Sequence, residues 1–396
     1  LELCFKGVIK IRITEGARAL RLGELSVSVA FGALLQRYVK TKEEKMTSKR
    51  YLWIIGACMG MSVSAYDVVD MADRNVTIGK TIQKVYAPSP YGSYALYAVA
   101  PSMMSGWVMS IADKNKPYLD PIARDLPVLG SISGQGQTSA IESMLSQKPD
   151  LILMWSASPV SPMSQTNQKL EQLTVPYVYA VAEDMNAYPA VFRFLGEVLD
   201  KQERGEMLAS RMQTVLDEVK TAVDKATYKP KVYYAEGTDG LSTECDDSIH
   251  VQILKLLGNV NVHQCHTSNH KGFEKVTLEQ ILLYDPDVII TPEELFWNGV
   301  QTHPQWKEVR AVREGRVYLI PTTPFNWFDR PPSFMRFIGL QWLANLLYPN
   351  EYPIDIKEET KRFYADFMHV SLDDTSLNVI LSPKSLVKKK ESHVSF

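Results

Sequence analysis

A chain that writes the same helix–turn–strand unit twice has little freedom in its architecture. Residues Thr138–Leu153 read TSAIESMLSQKPDLIL and residues Lys275–Ile290 read KVTLEQILLYDPDVII. Both carry a Ser or Thr lead-in, then Ile/Leu-Glu, a short apolar helical stretch, Pro-Asp and a closing apolar run. The interval from glutamate to proline is the same in each, Glu142 to Pro149 and Glu279 to Pro286. An unbroken apolar run after such a turn predicts a strand buried on both faces, as parallel sheets require.

The 396 residues leave room for two or three domains of ordinary size. A hydrophobic content of 45% with 22% charged residues is that of a folded chain. A net charge of −2 excludes a basic field for nucleic acid. No apolar run reaches the roughly 18 residues a spanning helix needs. Lys49-Arg50, the apolar run Tyr51–Val63 and the small residues Val63-Ser64-Ala65 stand in the order of a secretory signal peptide, with cleavage after Ala65 and Met46 as its start. On that reading residues 1–45 are an upstream extension, 46–65 the leader and 382–396 a short basic tail. A loose lipobox at Ile55–Cys58 gives a lipoprotein alternative, and a true N-terminal region with a core helix at 51–63 gives another. Export would leave Cys245 and Cys265 as an even pair, a disulfide candidate against the alternatives of free thiols or a metal pair.

Between these ends, strand-like and helical segments alternate, as in βαβ units. The segment Tyr188–Thr227 differs: apolar residues recur near 3.6 spacing through Val191, Leu195, Val198, Leu208, Met212, Val215, Val219 and Val223. It predicts one helix of about 35 residues, roughly 50 Å long. The expected organisation is therefore α/β: an N-terminal lobe at 66–186, a rigid bridging helix at 187–227, and a C-terminal lobe with closing helices at 228–381.

These features together resemble the substrate-binding proteins of ABC importers for metal chelates, the ferric-siderophore and cobalamin type. The resemblance runs from Lys80 to about Phe367 and is carried most specifically by EQILLYDPDVII, GRVYLIP and NWFDRPPSFMRFIGLQWLANLLYP. It implies a periplasmic protein that is monomeric, not an enzyme, and without a permanent cofactor. It also implies a ligand cleft between two lobes and an ABC permease dimer as partner, docked through one glutamate per lobe, here Glu142 and Glu279. The ligand expected is a ferric siderophore or another iron or nickel chelate. Cobalamin, an oxyanion such as molybdate, and a chelatase-like enzyme of the same architecture are the alternatives. No HExxH, CxxC or Ser-His-Asp order supports catalysis.

In such binders the ligand meets loops at the carboxyl ends of strands. Those loops nominate Tyr91, Gly134, Gln135 and Trp155 from the first lobe, and His250, His263, Trp327, Phe328 and Arg330 from the second. The glycines would let backbone N–H groups approach a ligand, the aromatics would cover a chelator's faces, and Arg330 would pair an anionic group or brace Asp329 or a helix end. His263 and His266 flank Cys265, and His270 lies nearby, so direct metal ligation through His263 and His266 is a further expectation.

Overall fold

The computed structural model describes residues 2–5, 9–12, 65–79, 81–132, 137–158, 160, 165–258, 260–266 and 273–381. The chain divides into a unit at residues 1–62 and a unit at residues 63–396. In the first, strands β1 (Glu2–Phe5) and β2 (Ile9–Arg12) pair as an antiparallel ribbon. The expected leader up to Ser64, the lipobox and the basic tail lie outside the described residues.

The second unit opens with an antiparallel hairpin, β3 (Ala65–Val69) and β4 (Asn75–Gly79). Two parallel sheets follow. Strands β5 (Val85–Tyr86), β6 (Leu151–Ser156) and β7 (Tyr177–Val181) make the first, with β6 central. Strand β8 (Val232–Tyr234) opens the second. After a short antiparallel pair, β9 (Ser242–Thr243) with β10 (Glu274–Lys275), that sheet is completed by β11 (Val288–Thr291) and β12 (Val317–Leu319), with β11 central. The two central strands are the two apolar runs of the repeat, and both are buried along Leu151–Met154 and Val288–Thr291.

Alternation along each strand sorts its side chains between two cores. Val85, Leu151, Leu153, Val178 and Ala180 of the first sheet share one central core with Val232, Tyr234, Val288 and Ile290 of the second. Their neighbours face outward into separate cores, Tyr86, Ile152, Met154 and Tyr179 in the first lobe and Tyr233, Ile289 and Val317 in the second.

The repeated Pro-Asp has a common structural task. Each copy's helix, α2 (Gln137–Ser146) or α5 (Leu278–Tyr284), gives way to a left-handed residue before proline, Lys148 at φ 51° and Asp285 at φ 45°. The following aspartate then clamps the start of the neighbouring strand. Asp150 accepts the N–H groups of Gln83 and Lys84 at 2.8 and 2.9 Å and donates its own to Lys84 O at 2.7 Å. Asp287 accepts Lys231 N–H at 2.7 Å and donates to Lys231 O at 2.8 Å. Each unit thereby fixes the register of a parallel pair.

The predicted single helix across 188–227 is two helices. α3 (Tyr188–Val198) and α4 (Gln202–Lys225) are separated by a turn in which Asp200 has φ 54°. The turn allows a backbone contact: a Cβ on Gly205 would lie 2.6 Å from Phe192 O and 2.8 Å from Gly196 Cα. The connection that spans the lobes is α4, whose 24 residues measure about 36 Å at the usual rise. It buries Leu208, Met212, Leu216, Val219 and Val223 in the central core.

The closing helices, α6 (Arg336–Leu347) and α7 (Ile356–Met368), do not stay with the second lobe. Helix α7 returns to α1 (Pro90–Val99) of the first. Tyr97 Oη donates to Met368 O at 2.5 Å, and Arg204 donates to Ala98 O at 2.8 Å and Asp366 O at 2.6 Å. The lobes are therefore held by a common core, by α4 and by the last long helix.

Gly205→Ala should destabilise the protein by about 1–3 kcal/mol, because the new methyl group meets backbone on both sides. Urea unfolding checks this, and an unchanged midpoint would contradict the close helix contact.

Candidate functional site

The first lobe supplies an aromatic wall. Ser89 caps α1 by accepting Gly92 N–H at 3.2 Å, which places Tyr91 in the first helical turn beyond β5. Trp155 comes from the end of β6, and its ring stacks on Tyr91 with centroids 6.1 Å apart and planes 19° apart. Tyr188, at the start of α3, meets Trp155 at 5.3 Å and Phe337 of α6 at 5.8 Å. Tyr91 and Trp155 are half-buried, and Tyr188 is buried.

The second lobe supplies a wall of buried charge. Arg330 is gripped by Glu236, 3.0 Å from its Nε, by Glu244 at Nη2, and by Asp329 at 3.4 Å. Its guanidinium also lies 4.1 Å over the ring of Phe273. All three carboxylates are buried while the Arg330 side chain stays 30% exposed. His250 Nδ1–H donates to Asp329 Oδ1 at 2.7 Å. Ser248 donates to Glu244 at 2.8 Å. Beside them Arg336, also buried, donates to Gln252 Oε1 at 2.8 Å and lies 6.0 Å from the ring of Tyr188.

The two walls share one electrostatic environment. Burial raises the Tyr91 phenol above its ordinary value, Arg336 and Arg330 pull it back, and Asp329 adds to the rise. Glu236 is pushed up to about 8, first by burial and then by the neighbouring Glu244, against the opposing pull of Arg330. It therefore keeps its proton near neutral pH.

Of the residues the sequence nominated, Tyr91, Trp155, His250 and Arg330 are placed on these walls. Trp327 and Phe328 are not ligand-facing. Both are fully buried, Phe328 packs 4.7 Å from the Tyr234 ring, and Trp327 is pressed onto α6. There a Cβ on Gly339 would fall 1.9 Å from Trp327 O. Gly134, Gln135 and His270 lie outside the described residues. Asp329 enters as a carboxylate that Arg330 was expected to brace, as it does; Glu236, Glu244, Arg336 and Tyr188 were missed. Glu236 and Glu244 stand in the segment that leads from β8 to His250, but nothing in their residue type distinguishes a buried carboxylate from a solvated one.

Cys245 and Cys265 form a disulfide, with Cα atoms 4.9 Å apart. His263 lies beside it, half-buried, with Nδ1 2.9 Å from Tyr284 Oη; burial holds its imidazole below the ordinary value. His266 is not part of this cluster. It is fully exposed and pairs with Asp247 at 3.2 Å, so the expected His263–His266 ligand pair is not assembled.

Glu142 and Glu279 are both exposed, but their settings differ. Glu279 is in the first turn of α5, behind the capping box of Thr277 and Gln280, where backbone N–H donation holds its carboxyl below the ordinary value. Glu142 is the sixth residue of α2, so the two glutamates do not occupy equivalent positions on their helices. The first helix begins earlier, at Gln137, than the repeat suggested.

Two parallel-sheet lobes bridged by a helix, with a cleft at the strands' carboxyl ends, define a two-lobed binding protein. The chain belongs to the periplasmic binding protein family, whose sequence profile matches residues 111–324. It is similar to the ABC transporter solute binding protein from Sulfurospirillum deleyianum, with 36% identity, a TM-score of 0.72, and coverage of 79% of this chain and 98% of that one. It is 22% identical to the molybdate-binding protein MolA of Haemophilus influenzae over 77% of this chain and 91% of that protein. It is 26% identical to the vitamin B12-binding protein of Pectobacterium carotovorum over 63% and 82%. Family members are transport solute-binding proteins of the periplasm or cell exterior. Among the described residues no helix is long and apolar enough to cross a membrane.

Two outcomes test this description. Because the folded Glu236 carboxyl is raised above the ordinary 4.5 to about 8, its contribution to stability is full below about pH 4.5 and is lost as pH rises through about 8. Glu236→Gln should therefore flatten the fall in unfolding free energy between about pH 4.5 and about pH 8, read from urea titrations at both ends. Trp327→Ala should cost about 3–5 kcal/mol, visible as a lowered urea midpoint; a folded protein of unchanged stability would return Trp327 to the cleft.

Proposed function

We propose that the protein is the extracytoplasmic solute-binding component of an ABC importer, and that its cargo is a metal complex carried by an organic chelator, an iron or nickel chelate of the siderophore kind. One observation carries the reading: Tyr91, stacked on Trp155, lies within the electrostatic reach of Asp329, the buried carboxylate that orients His250. A carboxylate on Nδ1–H is the usual support for an imidazole that offers Nε2 to a metal. The aromatic faces suit an organic ligand. Arg330, already paired with the buried carboxylates of Glu244 and Asp329, is poorly disposed to a bare oxyanion, which favours a chelate over molybdate. Molybdate and vitamin B12, the ligands named for two relatives, are themselves metal-centred. The disulfide suits an oxidising compartment outside the cytoplasm.

The repeated unit offers the partner two comparable faces. One turn beyond each glutamate stands a part-exposed leucine, Leu145 at 39% and Leu282 at 41%. A carboxylate and an apolar side chain at the same offset on each lobe suit a permease of two-fold symmetry.

Quenching of tryptophan fluorescence by ferric chelates, nickel–histidine, cobalamin and molybdate should single out one chelate. Tyr91→Ala and Trp155→Ala should each weaken it about tenfold, roughly 1.4 kcal/mol, and molybdate as the sole ligand would overturn the chelate reading. Separately, Glu142→Ala and Glu279→Ala should each reduce cellular uptake with ligand affinity unchanged, and the double variant should nearly abolish it. Normal uptake by the double variant would leave the repeat with only its strand-clamping task.

A further inference from the structure

The disulfide and His263 lie outside the cleft walls, and neither has a task in the reading above. One ligand atom from each of Cys245, His263 and Cys265 falls within 4.8 Å of the others. Two sulfurs and an imidazole are the donor set of soft or borderline d10 cations. His263 is oriented from behind by Tyr284 through Nδ1, the outer support that metal-binding histidines ordinarily have.

The two segments that carry the cysteines are also held together by contacts other than the S–S bond. Asn261 Nδ2 donates to Glu244 O at 2.9 Å, and Cys265 N–H donates to Asp246 Oδ1 at 2.8 Å. Cys245 is buried and anchored next to β9. Opening the disulfide therefore leaves both thiols in place beside the imidazole. A tetrahedral zinc with Zn–S of about 2.3 Å needs its sulfurs only about 3.8 Å apart.

We propose that the reduced chain binds one Zn2+ or Cd2+ ion through Cys245, His263 and Cys265, with water as fourth ligand, so that disulfide and metal are alternative cross-links of the same two segments. A dithiol supplies the two electrons and two protons that convert the S–S bond to two thiols and is itself oxidised to a disulfide. The cation then displaces both thiol protons to solvent and binds the thiolates. The proposal is independent of the cleft's ligand.

The test uses the full chain, reduced with a dithiol that is then removed under nitrogen, and equilibrium dialysis against Zn2+. One zinc per chain should be retained after reduction and none before. Zinc should also raise the thermal midpoint of the reduced chain. His263→Ala, which keeps the disulfide and so folds as the parent does, should weaken the reduced form's zinc binding at least tenfold. Cys245→Ser/Cys265→Ser should abolish reduction-dependent binding although Cys4 and Cys58 remain. Equal zinc in reduced and unreduced chains, or parental affinity in His263→Ala, would overturn the proposal.

Discussion

The organisation of the molecule depends on the central core that the two sheets share. In a chain with two parallel sheets, each sheet must cover two faces. Here one face of each is spent on a common interior, crossed by α4 and roofed by α6 and α7. A lobe that swung away would expose residues such as Leu151, Val178, Val232 and Ile290 to water. At about 25 cal/mol for each Å² of apolar surface, even a modest opening costs several kcal/mol. Ligand capture on this scaffold must therefore work by adjustment of loops and side chains more than by wide closure of lobes.

The same constraint explains why the cleft is chemically unusual. Loops that leave parallel strands at their carboxyl ends turn over a dry core, so polar side chains that serve the cleft are rooted where water is scarce. Glu236, Glu244 and Asp329 are tolerated there because Arg330 lies among them, and because Glu236 retains a proton. Removing one member of such a group leaves another charge without compensation. The positions are consequently interdependent, and their individual contributions are separable only by double substitution.

Much of this was legible in the sequence, for definite physical reasons. The two Pro-Asp units announced two buried strands, and the pair Cys245–Cys265 announced the disulfide. The break at residues 199–201 was hidden because α3 and α4 turn their apolar faces to the same core. Apolar residues at helical spacing stand on both sides of the turn, Val191, Leu195 and Val198 before it and Leu208, Met212 and Val219 after it, and the signals that remained, Gly196 and Gly205, record a backbone contact that no periodicity detects. Trp327 was misplaced for a related reason. An aromatic residue in a cleft-lining loop has the same letter whether it faces ligand or core, and the determinant, Gly339, sits twelve residues away on α6. The acidic cluster was illegible because its members, at 236, 244 and 329, become neighbours only after folding.

The bond pattern at Arg204 has a consequence for how the chain comes to be folded. Its guanidinium reaches Ala98 O in the first lobe and Asp366 O in the last long helix. The first lobe is encoded early, yet its packing around Tyr97 and α1 is finished only by residues near 366–369. A chain emerging from the amino end can form its first sheet, but that sheet remains without its lid until almost everything else has been delivered. Maturation is thus governed by the arrival of the carboxyl-terminal helix. A chain that stopped before Ile356, where α7 begins, would be left with an early half that never closes, a ready substrate for proteases and for aggregation.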